Sequence, residues 1–600
     1  MSAIPERLAA LRERMREHEL THYFVPSADE HLDEYLPPWR QRREWISGFS
    51  GSAGDVLVGL EDAWLFTDGR YHIQAAKELA GSGVSLSKVG VPGHLTLIEH
   101  LVAAARSGPD GLVLGADPMV VAIAVGRQLE GVIGENDAEG RWVSPNLIDE
   151  IWEDAPQPVC TELVPLPAAQ AGRTTAEKLA DVRAAAAAAG ANTVLVVKLD
   201  QLAWLLNMRS REDVPYNPVF EGFGCVGADR FDVFLHGGEA RMPAAALASV
   251  DGLRVHEYEA LEAFLEQFGA DDRVLLDASG ATVGLELQLE QAGAERIFAA
   301  SPVEHAKSIK NPTEQQNMRR ANRLASLAKT RALRWLEQRL DAGDTVSERS
   351  FLEEIERGYA VLPEFWGLSF NTISATGSNG AIMHYADAGE VPLRDGELFL
   401  IDSGVQVAGG TTDDTRTVAV GAVAEEQRRL YTHVLQCHIA AASLTFPEGT
   451  PGSAVDAVCR QPLWRAGLDY DHGTGHGVGC FLNVHEGPFA ISETSRKPYA
   501  ATPLHEGMVT SIEPGYYREG WGGIRLENLY LLAAAGKGER GGTLLRFEPL
   551  TFIPFDARLI DRSMLSPGET EWLDAYHQRV AEELAKEAPA EEVAALLPRR

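Results

Sequence analysis

Hydrophobic spacing divides the chain into three stretches. "PERLAALRERMREHELTHYFVPSADEH" reads as an amphipathic helix, a short link, a strand and the start of another helix. From Thr175, "TAEKLADVRAAAAAAGANTVLVVKLDQLAWLL" repeats that order, about 170 residues further on, which predicts a duplicated α/β domain. Strand-like runs continue each copy, "DAWLFTDGRYHI" in the first and "FDVFLHGGEAR" in the second. A proline-rich run, "PVCTELVPLPAAQAG", sets a boundary near residue 155. A long helix is then predicted in "KNPTEQQNMRRANRLASLAKTRALRWLEQRLDAGDT". Asn311 is its N-cap, Pro312 sits at N1 and Glu314 at N3, a pattern that satisfies free N–H groups at a helix start. Met318, Ala321, Ala325, Ala328, Ala332 and Trp335 form its apolar face, and Gly343 terminates it. The third domain closes with the charged helix "EWLDAYHQRVAEELAKEA". The expected domains are 1–155, 156–307 and 308–600, all of α/β type.

Composition narrows the partners. At 600 residues the chain exceeds what one core supports. A formal net charge of −33 works against binding nucleic acid or an anionic membrane. Apolar runs such as "LYLLAAAG" fall short of the roughly 20 residues a membrane span requires, and the charged N-terminus lacks the apolar core of a secretory signal. The five cysteines, Cys160, Cys225, Cys437, Cys459 and Cys480, are scattered without any CxxC. That pattern suits a reducing compartment, and a cytoplasmic location is expected.

Candidate chemistry concentrates in the third domain. "ELFLIDSGVQ" is an apolar strand ending at Asp402, and "GGTTDDTRTVAVG" becomes a strand carrying Asp413, Asp414 and Arg416; the two should pair as a hairpin across "QVAGG". "MVTSIEPGYY" places Glu513 at the end of another strand, and "GGIRLENLYLL" places Arg525 and Glu527 on one strand face. Burying an unpaired carboxylate is costly, and one such residue is ordinarily a salt bridge or a solvated strand end. If Asp402, Asp413, Glu513 and Glu527 converge, each like-charge pair repels by roughly 4 kcal/mol at 4 Å and an effective dielectric of 20. The cluster must then stay protonated or hold cations. Two divalent ions balance four carboxylates, and an oxygen-rich set with one imidazole favours Mn²⁺ or a similar hard ion. The imidazole comes from "HGTGHGVGCFLNVHEGP", where Gly473, Gly475, Gly477 and Gly479 disfavour a helix and suit a loop passing close to substrate. Spacing alone does not choose among His472, His476 and His485.

These segments, with "LSFNTISATGSNGAIMHY", resemble in order those of the pita-bread metallopeptidases, and specifically the long, three-domain, cytosolic Xaa-Pro aminopeptidases. "WISGFSGSAG", "LFTDGRYHIQAA" and "RSREDVPYNPVF" extend the resemblance across nearly the whole chain. It implies two creatinase-like N-terminal domains before a pita-bread catalytic domain. It also implies an aminopeptidase that cuts between an N-terminal residue and a following proline, using a metal-activated hydroxide. The implied metal ligands are Asp402, Asp413, His476, Glu513 and Glu527, with Asp413 and Glu527 bridging two cations, most simply Mn²⁺. His384, His472 and His485 correspond to catalytic, substrate-binding histidines, Glu513 to the proton shuttle, and Arg70 to a peptide-contacting residue. Asp414 is expected to be structural, Cys480 a pocket wall, and His505 and Glu506 surface residues. Peptides with proline second are the implied partners, and a homodimer the implied assembly. A prolidase acting on Xaa-Pro dipeptides, a creatinase-like enzyme without metal, and a non-catalytic binding protein are the alternatives. The complete ligand set and the acidic charge weigh against the last two.

Overall fold

The computed structural model describes residues 3–107, 111–248, 250–495 and 497–597. The chain separates into two compact units. One comprises Met1–Leu166, Arg173–Pro215 and Val219–Val303; the other comprises Pro167–Gly172, Tyr216–Pro218 and Glu304–Arg600.

The first unit contains the duplication. One six-stranded sheet has the spatial order Ser85–Lys88, Ala63–Thr67, Asp55–Gly59, His22–Val25, Val113–Ala116, Glu139–Trp142. The other runs Leu253–Glu257, Phe231–Leu235, Gly222–Val226, Thr193–Val196, Arg273–Leu276, Glu295–Phe298. Reading along each sheet, the strand pairs are parallel, antiparallel, antiparallel, parallel and parallel in both. Two sequences with little identity therefore encode one topology. One detail departs from the expected repeat. The second copy follows its strand with a helix, Leu199–Leu206, but the first does not at Ser27–His31. There Asp29 Oδ1 accepts the His31 N–H at 2.9 Å, a local turn that competes with helical bonding.

In the second unit the long helix spans Pro312–Asp341. Asn311 Oδ1 accepts the N–H groups of Thr313 and Glu314, and Glu314 Oε2 accepts the Asn311 N–H, so the capping box is complete. Met318, Ala321, Ala325, Ala328 and Ala332 are buried, but Trp335 is half-exposed and Leu336 takes the inward position. Gly343 adopts φ 80° just past the helix end. A further helix, Ala590–Leu596, follows the charged helix Pro567–Leu584 that was expected to close the chain.

Four sheets carry the rest of this unit. Leu398–Ser403 lies between Ile373–Thr376 and Asp414–Ala419, antiparallel to both. The expected hairpin continues through Val405–Val407 and Gly410–Thr411, which pair with each other. A six-stranded sheet includes Gly475–Gly477, Glu486–Ile491, Val509–Ile512 and Asn528–Lys537. The glycine-rich stretch is thus partly strand, because Gly475 and Gly477 allow a close approach: a Cβ on Gly475 would lie 2.1 Å from the Ser511 carbonyl oxygen. "GGIRLEN" is not one strand either. Gly522–Arg525 pairs with Gly515–Arg518, Asn528 opens a strand in another sheet, and Leu526 and Glu527 bridge the gap. Their N–H groups donate to Pro514 and Thr415 carbonyls instead of a ladder.

Asn311→Ala removes the oxygen that accepts two helix-end N–H groups. It should lower the stability of the second unit by about 1 kcal/mol, read as an earlier unfolding transition in denaturant; an unchanged midpoint contradicts the cap's contribution.

Candidate metal centre

The hairpin brings two carboxylates to one place. Asp402 is the penultimate residue of its strand and pairs in register with Thr415, while Asp413 immediately precedes the partner strand. Opposite them, Glu527 occupies the gap between sheets. Its backbone N–H donates to Thr415 O at 3.2 Å, and its Oε2 accepts the Thr415 hydroxyl at 2.6 Å. Thr415 therefore seats Glu527 against the hairpin by backbone and side chain together.

His476 enters from its short strand. Its Nε2 lies 3.3 Å from Asp413 Oδ2 and 3.6 Å from Glu513 Oε1. Nδ1 faces the Gly477 carbonyl at 2.9 Å, which takes a hydrogen there and leaves the Nε2 lone pair toward the carboxylates. Ligand atoms of Asp413, His476 and Glu527 all fall within 4.8 Å of one another. Glu513 is held by its backbone N–H on Thr474 O at 2.8 Å, and its Oε1 accepts the Ser511 hydroxyl at 3.2 Å. Asp402 Oδ2 accepts from Arg525 at 2.6 Å, while its Oδ1 is buried without a hydrogen-bond partner among the described residues.

Electrostatics make this an unsatisfied site. Burial, then the charges of the neighbouring carboxylates, hold both Asp413 and Glu527 well above the ordinary carboxylate range. For Asp413 the contributors are Asp402, Glu513 and Asp414; for Glu527 they are Asp413, Glu513 and Asp402. Arg525 is the one cation hydrogen-bonded to a member of the cluster among the described residues. Its Nε also donates to Thr415 Oγ1 at 3.1 Å, and thereby supports Glu527 indirectly.

The histidines divide by environment. His472 Nδ1 faces the Gly473 carbonyl at 2.7 Å, and its Nε2 lies 2.9 Å from the Tyr517 hydroxyl. Tyr517 accepts from Arg525 at 2.8 Å, so its own hydrogen is directed to His472. Burial, then Arg525, pushes the His472 imidazolium well below its ordinary range, so the ring is neutral. The His485 ring packs edge-on to His476 with centroids 4.4 Å apart. The next residue, Glu486, is fully buried and salt-bridged by Lys307 at 2.9 Å and by Lys310, which anchors the backbone beside His485. His384, half-buried after the Gly377–Ala381 turn, lies close enough for its charge to disfavour protonation of His472.

Arg70 belongs to the first unit, where it makes a two-bonded pair with Asp68 at 2.9 and 2.8 Å. Asp414 is salt-bridged by the buried Lys329. Cys480 is buried, with Sγ on the Gly409 carbonyl at 3.1 Å; His505 pairs with Glu448 at 3.4 Å, and Glu506 is exposed. Sequence reasoning gave no role to Arg525, Tyr517 or Thr415. Their signal was adjacency: each sits in a segment that already carries a proposed ligand.

Comparison with known proteins gives this geometry a setting. Residues 7–143 and 154–314 match creatinase/prolidase N-terminal domains, 316–534 match metallopeptidase family M24, and 543–597 match the C-terminal region of peptidase M24. A probable Xaa-Pro aminopeptidase P of Sordaria macrospora is 38% identical over 97% of this chain and 96% of its own. That of Laccaria bicolor is 38% identical over 95% and 89%. The fold superposes on an X-prolyl aminopeptidase of Caenorhabditis elegans, described as a cytosolic enzyme with a di-nuclear active site. The TM-score is 0.92, with 31% identity and full coverage of both chains. A prolidase of Pyrococcus horikoshii shares fold over 63% of this chain and 99% of its own, at TM-score 0.51 and 22% identity.

The raised carboxyl pKa values carry a sign for cation binding. Carboxyls raised above their ordinary range bind a cation only as they give up protons. Titration calorimetry in buffers of different ionisation enthalpy should therefore detect proton release, with apparent affinity rising from pH 6 to pH 8. Binding without proton release contradicts the assignment of Asp413 and Glu527.

Proposed function

The chain belongs to the Xaa-Pro aminopeptidase P family of M24 metallopeptidases and is a metal-dependent aminopeptidase acting before a proline in second position, and we propose that Asp402, Asp413, His476, Glu513 and Glu527 hold its two divalent cations. The observation that carries this assignment is the meeting of Asp413 and Glu527, both buried, with the partly buried His476. The donor chemistry fits a cation pair: burial and neighbouring carboxylates raise two carboxyls above their ordinary range, Asp402 Oδ1 has no protein donor among the described residues, and His476 offers a lone pair. Four carboxylates and one imidazole suit Mn²⁺ better than a thiolate-preferring ion. Bound there, the cations supply an acidified water and electrostatic stabilisation of developing negative oxygen.

The protein's own groups do the rest. Glu513 Oε2 lies 3.8 Å from His472 Nδ1, beside the centre, where a carboxylate can carry a proton to the departing prolyl nitrogen. His485, packed against His476, is a hydrogen-bond donor for the oxyanion. His472 is kept neutral, with Nδ1 on the Gly473 carbonyl and Nε2 on the Tyr517 hydroxyl; it is assigned to substrate through exchange of the Tyr517 bond, without adding charge. His384 and, from the first unit, Arg70 are assigned to the peptide. Proline's nitrogen offers no N–H, so selection for it rests on shape and apolar contact.

A prolidase would share this centre. Similarity over the whole chain to Xaa-Pro aminopeptidases, against fold likeness over 63% to a prolidase, supports the aminopeptidase reading. The domain division 1–155, 156–307 and 308–600, a homodimer and a cytoplasmic location belong to the same reading. No helix among the described residues is long and apolar enough to cross a membrane. An exposed tryptophan, Trp464 on the helix Gly452–Arg465, offers apolar surface for self-association.

Chelator-stripped protein should fail to release the N-terminal residue from an Xaa-Pro-Yaa tripeptide, and Mn²⁺ should restore the activity. Glu513→Gln should lower kcat by at least about 10²-fold in the presence of Mn²⁺. Full activity after exhaustive stripping, or in E513Q, contradicts the assignment. Light scattering should give twice the chain mass, and a monomer contradicts the proposed assembly.

A further inference from the structure

Two asparagines on loops tied to the Asp402–Asp413 hairpin carry polar atoms that no described neighbour satisfies. Asn217 is 2% exposed, and neither its Oδ1 nor its Nδ2 has a hydrogen-bond partner; Asn483 Oδ1 is likewise buried and unpartnered. Their backbones are fastened together. Gln406 Nε2 donates to the Tyr216 carbonyl at 3.3 Å and to the Leu482 carbonyl at 2.8 Å, the residues immediately preceding the two asparagines. Gln406 lies on the hairpin between Asp402 and Asp413, and Asn483 is two residues before His485. Thr411 completes the clasp, accepting the Leu482 N–H at 3.2 Å and donating to Gln406 Oε1 at 2.9 Å. Tyr216–Pro218 is part of the catalytic unit although the chain on either side of it belongs to the first unit. Each loop also carries a non-glycine residue at positive φ, Tyr216 at 66° and Phe481 at 54°.

A buried amide without partners destabilises a fold, and leucine, branched at the same atom, would occupy the site without that penalty. A ligand that supplies the missing hydrogen bonds accounts for the asparagine. Resting on the aminopeptidase reading above, we propose that Asn217, together with Asn483, binds the substrate main chain on the far side of the proline. The first N–H available there belongs to the residue after proline, and the first carbonyl is proline's own. A carboxamide offers one acceptor and one donor group to that peptide unit, and Asn483 Oδ1 offers a second acceptor. A dipeptide ends at this point in a carboxylate, which presents no N–H and meets two acceptor oxygens. The pair therefore selects peptides that continue beyond proline.

The test uses the full chain loaded with Mn²⁺, an Xaa-Pro-Yaa tripeptide, and its ester counterpart in which oxygen replaces the Yaa N–H. Wild type should cleave the ester with kcat/KM about tenfold lower, mainly through KM, the loss of one well-made hydrogen bond. In Asn217→Leu that ratio should fall to near one while the melting temperature holds or rises. Asn217→Asp, which keeps its acceptor oxygens, should retain part of the discrimination. An amide-to-ester ratio equal in wild type and Asn217→Leu overturns the proposal, as does a lowered melting temperature with parallel losses on both substrates. A metal-loaded wild type inert to both substrates overturns the aminopeptidase reading itself.

Discussion

Repulsion among closely set carboxylates, three of them buried, is the constraint on which the catalytic unit depends. Asp402 stands on a strand, Asp413 and Glu513 stand at strand ends and Glu527 lies in the gap between two sheets, and the charges of Asp402 and Glu513 raise the cost of ionising both Asp413 and Glu527. Pairs about 4 Å apart repel by roughly 4 kcal/mol at an effective dielectric of 20, comparable to a large part of a domain's net stability. Such a cluster persists because the surrounding strands fix its geometry and because cations relieve the charge.

Arg525 organises what the cations do not. Its guanidinium reaches Asp402, Thr415 and Tyr517, and through them Glu527 and His472. One buried cation thus ties Asp402 and Glu527 to a neutral histidine. Five directional donors in a planar group make this possible, and lysine could not reproduce it. The glycine-rich segment serves the same end from the opposite side. Its absent Cβ atoms let the His476 strand press against the Ser511 carbonyl, bringing the imidazole over the carboxylates.

How much of this was legible in sequence follows from what each residue depends on. Acidic residues in apolar strands stand out locally, so Asp402, Asp413, Glu513 and Glu527 could be gathered by charge alone, and the resemblance singled out His476. The capping box of the long helix was legible for the same reason, since Asn311, Pro312 and Glu314 interact within one turn. Arg525 was not, because an arginine in a strand is unremarkable until folding sets Asp402, 123 residues away, against it. The break between Arg525 and Asn528 was invisible because both flanks have strand character; only pairing with different sheets separates them. The helix expected at Ser27 failed where an aspartate side chain took the backbone's hydrogen bond. Asn217 illustrates the limit: nothing in "VPYNPVF" reveals that its amide will be buried without a partner.

The most direct test of the central claim is an anomalous difference map from crystals grown with Mn²⁺, collected at the manganese edge. The account predicts two peaks about 3.5–4 Å apart, bridged by Asp413 and Glu527, with Asp402 on one ion and His476 and Glu513 on the other. No peak at the cluster, or peaks that leave Asp413 and Glu527 unligated, would contradict it.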